Sequence, residues 1–419
     1  MALHSTGKVV SSSNAVLVVQ CDGAIDPERV SRSLDRLLRF CPWPAARLRR
    51  PFPWGKLHWA ANGGGARRRP PVRRRAVATA EELHQAIDAE LNTAIDPRRE
   101  PPLRVLVLDG APDLVGGAGV LVLTWFHPLM DPRGAQNLLH HLVHLDRHAS
   151  EAPWGDAVPV FVRGADPRPF KERGRLARKS LEYMRTLPRV QPVSSRKGGA
   201  GRVRFRQVSF TERASAAKPW RNTQEIWWRV AVVGKAMRRL WEQQSVPDVP
   251  FLLPIAVDLR PKGDLGPTFG NTLAFHFARF KPSDAADVPR LASALRAQLA
   301  DAVRGGHIEA NDAAMDFLQY RPLAMVRRAL RWTGGETFSF NCADVTDFPA
   351  ALDRCFGRRV VNAFHVPAVP PRPGIGVFFN RCAARSNLVV AWIEGVVTDN
   401  DVTRIVETVR EEMGWIETS

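Results

Sequence analysis

The stretch Val120-Leu-Val-Leu-Thr-Trp-Phe-His127-Pro-Leu-Met-Asp131-Pro-Arg-Gly134 constrains the fold more than any other part of the chain. Before His127 it is apolar apart from Thr124, and Gly116, Gly117 and Gly119 lead into it, which predicts a buried strand entered from a glycine hairpin. Asp131 followed by Pro132 predicts a helix start, with the aspartate as N-cap and the proline in the first turn, where its missing N–H is tolerated. The amphipathic segment from Ala135 to His148 continues that helix. His127 therefore falls in a strand-to-helix connection, with a carboxylate four residues on. An imidazole there is placed for proton transfer. A histidine satisfied by a backbone carbonyl is the lesser alternative, and Asp131 as a plain cap is compatible with both.

A second His-x-x-x-Asp, His84 to Asp88, serves as an internal control. It lies in a capped helical pattern beginning at Thr79, with Leu83, Ile87 and Leu91 on one face, so His84 and Asp88 read as structural neighbours on a helix surface. Only the His127 copy has a strand before it and a helix after it. His140, His144 and His148 recur at four-residue spacing, but no positioned carboxylate accompanies them, and a partly solvated face is the better reading than a metal site. No metal ligand set is expected.

With 419 residues, 45% apolar and 24% charged, the chain suits two ordinary domains or one large two-lobed globular unit. No apolar run approaches the ~18 residues of a membrane span, and the first residues lack a signal-peptide pattern. Cys21, Cys41, Cys342, Cys355 and Cys382 are scattered and odd in number, which predicts free thiols in a reducing compartment and a cytoplasmic location. The net charge of +18 concentrates in Arg67 to Arg75 and again from Arg163 to Lys197. No nucleic-acid-binding module accompanies these runs, and their prolines argue against membrane-surface helices, so no nucleic-acid partner is expected. An acidic protein partner or a phosphate-bearing substrate fits them, as does a generally arginine-rich composition.

In order along the chain, strands are predicted at 15–21, 46–49, 56–59, 101–109 and 120–126, with helices at 26–40 and around His84; Arg67 to Arg75 reads as a basic loop. A Pro/Arg/Gly/Ser-rich linker, residues 166–200 and containing a helix over 175–186, separates a first lobe, 1–165, from a second, 201–419. The second lobe is read as a strand at 202–210, a helix at 223–244 capped by Asn222, strands at 251–260 and from 270, and helices at 288–303 and 312–329. Strands at 337–341, 376–380 and 388–394 and a closing helix at 399–413 follow. No sequence repeat is detectable, yet strands and helices follow a similar order in both halves. The class is a mixed α/β fold.

His127-Pro-Leu-Met-Asp131, Pro101-Pro-Leu, Ala256-Val-Asp-Leu-Arg260 followed by Gly270-Asn271, and Phe338-Ser-Phe-Asn341 together resemble a known superfamily. It comprises chloramphenicol acetyltransferase, peptide-synthetase condensation domains, plant alcohol acyltransferases and bacterial wax ester synthases, and the resemblance covers nearly the whole chain. It implies two pseudo-symmetric chloramphenicol acetyltransferase-like lobes, each a mixed sheet with flanking helices, meeting at a tunnel. It implies that His127 acts as general base in an acyltransferase of specialised-metabolite or lipid biosynthesis. The acyl group would move from a thioester of coenzyme A or phosphopantetheine to a hydroxyl or amine of a small-molecule acceptor, with no permanently bound cofactor. An acidic acyl or peptidyl carrier protein is an implied partner. Asp131 would pair with Arg260 rather than move protons, Ser339 or Asn341 would meet the developing oxyanion, and Asn271, Trp125 and Gly134 would shape the tunnel. The chain departs from the pattern at Phe126, where many members have a first histidine, and at Pro132, where glycine is usual. Cyclisation or another non-transfer reaction, or a basic binding protein of the same fold without chemistry, remain alternatives at this point.

Overall fold

In the computed structural model the described residues are 13–52, 55–61, 69–110, 119–149, 151, 154–155, 159–160, 167–186, 201–212, 220, 224–242, 249–261, 265–319, 325, 338–370 and 372–417. The first half opens on β1 (Asn14–Cys21) and helix α1 (Pro27–Phe40), then a small antiparallel pair, β2 (Arg47–Arg49) and β3 (His58–Ala60). It continues with β4 (Val72–Ala76), α2 (Ala80–Asn92), β5 (Leu103–Asp109), β6 (Gly119–Phe126) and α3 (Pro132–Arg147). Helix α4 (Phe170–Thr186) leads into the second half, which begins with β7 (Val203–Glu212) and α5 (Glu225–Glu242). Next come an antiparallel pair, β8 (Phe251–Asp258) and β9 (Leu273–Phe280), then α6 (Val288–Arg304), α7 (His307–Leu318) and β10 (Asn341–Asp347). The chain closes with β11 (Arg354–Cys355), β12 (Arg358–Val366), β13 (Ile375–Cys382), β14 (Arg385–Ile393), α8 (Asp399–Met413) and β15 (Trp415–Glu417).

Two mixed sheets organise these elements, with strand orders β11-β12-β1-β6-β5-β4 and β10-β13-β14-β7-β15. The run β4-β5-β6-β1 of the first reappears as β10-β13-β14-β7 in the second, each with its one parallel pair at the edge, β4 with β5 and β10 with β13. Helix α3 after β6 corresponds to α8 after β14. The two halves are thus pseudo-symmetric in topology with no shared sequence. They are not separable by a cut in the chain, because β11 and β12, from the second half, extend the sheet of the first along β1.

β6 lies between β1 and β5, and all eight of its residues are buried. Val120 and Val122 join α2 and the second half in one apolar cluster, while Leu121, Leu123 and Trp125 join α1 and α3 in another. Full burial of each Val or Leu contributes about 1.5–3 kcal/mol, so the apolar run that identifies this strand also fixes its place at the centre of the sheet. All five cysteines are free and buried. Among the described residues no helix is long and apolar enough to cross a membrane.

Four expectations need correction. Arg73, Arg74 and Arg75, read as part of a loop, belong to β4, an edge strand whose Arg73 pairs with Glu90 and Arg74 with Asp109; charge on an edge strand discourages pairing with other chains. Arg67 and Arg68 of the same basic run lie outside the described residues, as do the hairpin glycines Gly116 and Gly117, the cap Asn222, and residues 187–200 of the linker. The strand expected at 337–341 instead starts at Asn341, because Ser339 is engaged with β8 and does not enter the ladder. The helix expected from 312 begins at His307, set off from α6 by Gly306 at φ +63°. β12 was not anticipated at all.

Candidate active site

The sharp end of β6 is built by backbone bonds. Phe126 closes the strand and packs into a small apolar cluster with Leu48 and Ile95, its ring edge-to-face with Trp59 at 6.3 Å. A large apolar side chain thus fills the position where the resemblance leads one to expect a first histidine. His127 to Leu129 then form a 3-10 turn before α3. The His127 N–H donates to the Ser13 carbonyl at 2.9 Å, and its carbonyl accepts from Asn271 Nδ2 at 3.2 Å. The turn is therefore held from both halves of the chain. Trp125, fully buried, donates its indole N–H to the Met130 carbonyl at 2.8 Å. That donor is already used, so Trp125 braces the turn from below and cannot serve an oxyanion.

Asp131 is the N-cap of α3, its Oδ1 accepting the Gly134 N–H at 2.8 Å. Its Oδ2 accepts the Thr272 N–H at 2.9 Å. Arg260 Nη2 spans both carboxylate oxygens at 3.0 and 2.9 Å and also donates to the Gly270 carbonyl at 2.6 Å. Both side chains of this ion pair are 1% exposed. Asp258 orients Arg260 in turn, its Oδ1 accepting from Arg260 Nη1 at 3.1 Å and from the Arg260 N–H at 3.0 Å. Sequence reasoning passed over Asp258, although it stands two residues before Arg260 in the same motif. Arg133 approaches the other oxygen of Asp258 at 3.7 Å. With each Asp131 oxygen taken by a backbone N–H and by the guanidinium, the aspartate is a clamp joining α3 to the segment before β9, with no oxygen left to move a proton.

Gly134 serves the same clamp. A Cβ built there would stand 2.0 Å from the Phe269 carbonyl oxygen, so the segment leading to Gly270 sits directly on the first turn of α3. This is why glycine is needed at 134 while proline is accepted at 132: Gly134 is buried and the contact is a packing one. Gly134→Ala is expected to push the 269–272 segment off α3, loosening both Thr272 from Asp131 and Asn271 from His127. A lowered melting temperature together with lost activity would show it. An unchanged melting transition would mean the contact relaxes freely.

His127 is half-buried as a residue, and Pro128 beside it and Asn271 are exposed. Burial lowers its pKa from the ordinary value, an effect opposed by the nearby Asp131 charge and by the ring's contact with its own main-chain carbonyl. The imidazole is consequently neutral at neutral pH, lies beside exposed residues, and is held on a fixed backbone.

Ser339 is not part of this group. It is fully buried, its N–H donating to the Leu252 carbonyl at 2.8 Å and its hydroxyl accepting the Leu252 N–H at 3.0 Å. Leu252 is the second residue of β8 and Asp258 its last, which at ~3.3 Å per residue sets Ser339 about 20 Å along the strand from the Arg260 clamp. Its role is to pair with β8. Asn341 opens β10 opposite Gly376, partly exposed. The control pair behaves differently again. His84 stacks on Phe205 at 4.3 Å, and Asp88 is buried against Arg202 at 2.8 Å. Both are structural, though at a junction between the halves rather than on an open helix surface.

Comparison with known proteins bears on the fold. No family model matches the sequence, and no curated protein matches it. Among solved structures, the starter condensation domain of rhizomide synthetase RzmA aligns with a TM-score of 0.63 at 13% identity, over 97% of this chain and 92% of that one. The first condensation domain of the CDA synthetase gives 0.62 at 15%, over 98% and 94%. The nonribosomal peptide synthetase FmoA3 gives 0.64 at 15%, over 96% of this chain and 40% of the longer one. At these identities the likeness is one of architecture: the chain has the two-lobed fold of peptide-synthetase condensation domains.

Proposed function

We propose that this protein is a condensation-domain-like acyltransferase in which His127 takes the proton from an acceptor amine or hydroxyl as that nucleophile attacks a thioester carbonyl. The C–N or C–O bond forms, the C–S bond breaks, and the thiol leaves with a proton. The observation that carries this reading is the contrast between two neighbouring groups. His127 has a neutral ring with no bond to another side chain among the described residues to spend it, on a backbone pinned by Ser13 and Asn271, whereas Asp131 is wholly consumed by Arg260 and two backbone N–H groups. One group is free to react, and the other is spent holding it in place. A histidine with a depressed pKa suits a general base at neutral pH because it is already deprotonated.

The donor we favour is an acyl group on the phosphopantetheine arm of a carrier protein. The solved proteins that share the fold are parts of peptide synthetases, and the net charge of +18 suits an acidic partner. Coenzyme A offers the same thioester. The test presents the purified chain with acyl groups on each carrier, alongside amine and alcohol acceptors, and follows acylated product by mass spectrometry. Transfer above the uncatalysed rate supports the reading, and its absence with every donor and acceptor pair would reject it. The pH profile adds a second check. The base works only when unprotonated, so kcat/KM is expected to rise with pH through a midpoint below the ordinary histidine value of ~6.5 and stay flat from pH 7 to 8. A midpoint above that value would contradict the burial of the ring.

A further inference from the structure

Away from His127, helices α4 and α7 pack together against β9 around a small pocket with room for about one water-sized group. That suits a single ion or water and not a small organic ligand, whose sites run to ~300–1,000 Å3. Three of its lining residues carry a buried side-chain atom without a hydrogen-bond partner: His276 through Nε2, His307 through Nδ1 and Asn311 through Oδ1. His276 is 3% exposed and Asn311 8%. His307 and Asn311 stand four residues apart on α7 and so share a face, while His276 comes from β9. Tyr183 of α4 stacks on the His307 ring at 4.6 Å and fixes its plane. Buried polar atoms are normally satisfied, and three around one small cavity call for a ligand. Each can offer a lone pair: two imidazole nitrogens and an amide oxygen. Burial and the neighbouring His307 push the His276 pKa down to about 4, so its ring is neutral at pH 7.

We propose that His276, His307 and Asn311 form a site for a divalent late transition-metal cation, zinc being the best match, with water completing the coordination. Imidazole nitrogen with a carboxamide oxygen is a donor set for such ions, and three protein ligands leave a fourth position for solvent. The cation would tie α7 to β9, the strand whose leading residues Asn271 and Thr272 hold the His127 turn and Asp131.

The test uses the full chain, stripped with chelator, dialysed, and titrated with Zn2+ by calorimetry and with Co2+ by visible d–d absorption. One equivalent is expected at micromolar affinity or tighter, with a raised melting temperature. His276→Ala and His307→Ala should each remove that equivalent. Asn311→Asp should tighten it about tenfold by adding a negative charge to the donor set. A gain in affinity cannot come from a damaged fold, so this variant decides the matter even where the histidine variants fail to fold. The proposal is overturned by binding no tighter than millimolar. It is overturned equally by an equivalent that survives both histidine substitutions, by one that disappears only when His140, His144 and His148 are replaced, or by unchanged affinity in Asn311→Asp. Each of those outcomes would leave the cavity as a pocket for ordered water.

Discussion

His127→Ala should melt like the parent chain and transfer acyl groups about 10²–10⁴-fold more slowly, the range a positioned general base contributes. Stability is spared because the bonds that fix the turn, to Ser13 and from Asn271, run through the His127 backbone, which alanine retains. The loss should fall on kcat, since proton removal is made only in the transition state. His84→Ala is the matched control. It has the same four-residue spacing to an aspartate, yet its ring stacks on Phe205 and faces no reacting group, so it should leave turnover unchanged. Parent-like turnover in His127→Ala, measured with a donor the parent accepts, would remove the base assignment. An equal loss in His84→Ala would show that the assay reports folding.

The surroundings of His127 were legible in the sequence because short-range rules and burial agree there. An apolar run long enough to span a sheet, an aspartate before a proline, and a glycine at the third helical position each have one economical reading, and together they give β6, the turn and α3. What escaped notice depends on distant partners. β12 carries Asn362 and His365 inside the core, so its apolar alternation is broken. Their partners lie far off in sequence, Asn387 and Ser209 for Asn362 and Gln136 for one ring nitrogen of His365. The arginines of β4 look like a solvated loop until Glu90 and Asp109 are brought beside them. Ser339 illustrates the opposite failure. A plausible motif position suggested chemistry, but a polar residue at full burial was pairing with a strand. Local pattern located the histidine between β6 and α3, and tertiary context alone could separate it from residues of similar type.

The clamp beneath the turn should show the second large effect. Arg260→Met leaves Asp131 buried with two backbone N–H donors and no cation, and breaking a buried pair from one side typically costs about 3–5 kcal/mol. Asp131→Ala removes the N-cap of α3 as well, worth about another 1 kcal/mol, and leaves Arg260 with only Asp258 and the Gly270 carbonyl. Asp131→Asn keeps a cap oxygen and discards the charge. The combination Asp131→Asn with Arg260→Met is therefore expected to be more stable than Arg260→Met alone, because no unpaired charge remains in the interior. Urea unfolding of the two single variants and the double variant closes the cycle. A coupling energy of opposite sign to the single losses is the signature of a desolvated pair, whereas strict additivity would mean that water reaches Asp131 and the clamp is not dry. Activity should follow a different order from stability. Even the best-folded double variant loses the guanidinium that gathers Asp131 and the Gly270 carbonyl, the contact that sets the segment carrying Asn271 against His127. Its turnover should stay low while its fold recovers. That separation of fold from rate is what distinguishes a positioning pair from a merely stabilising one.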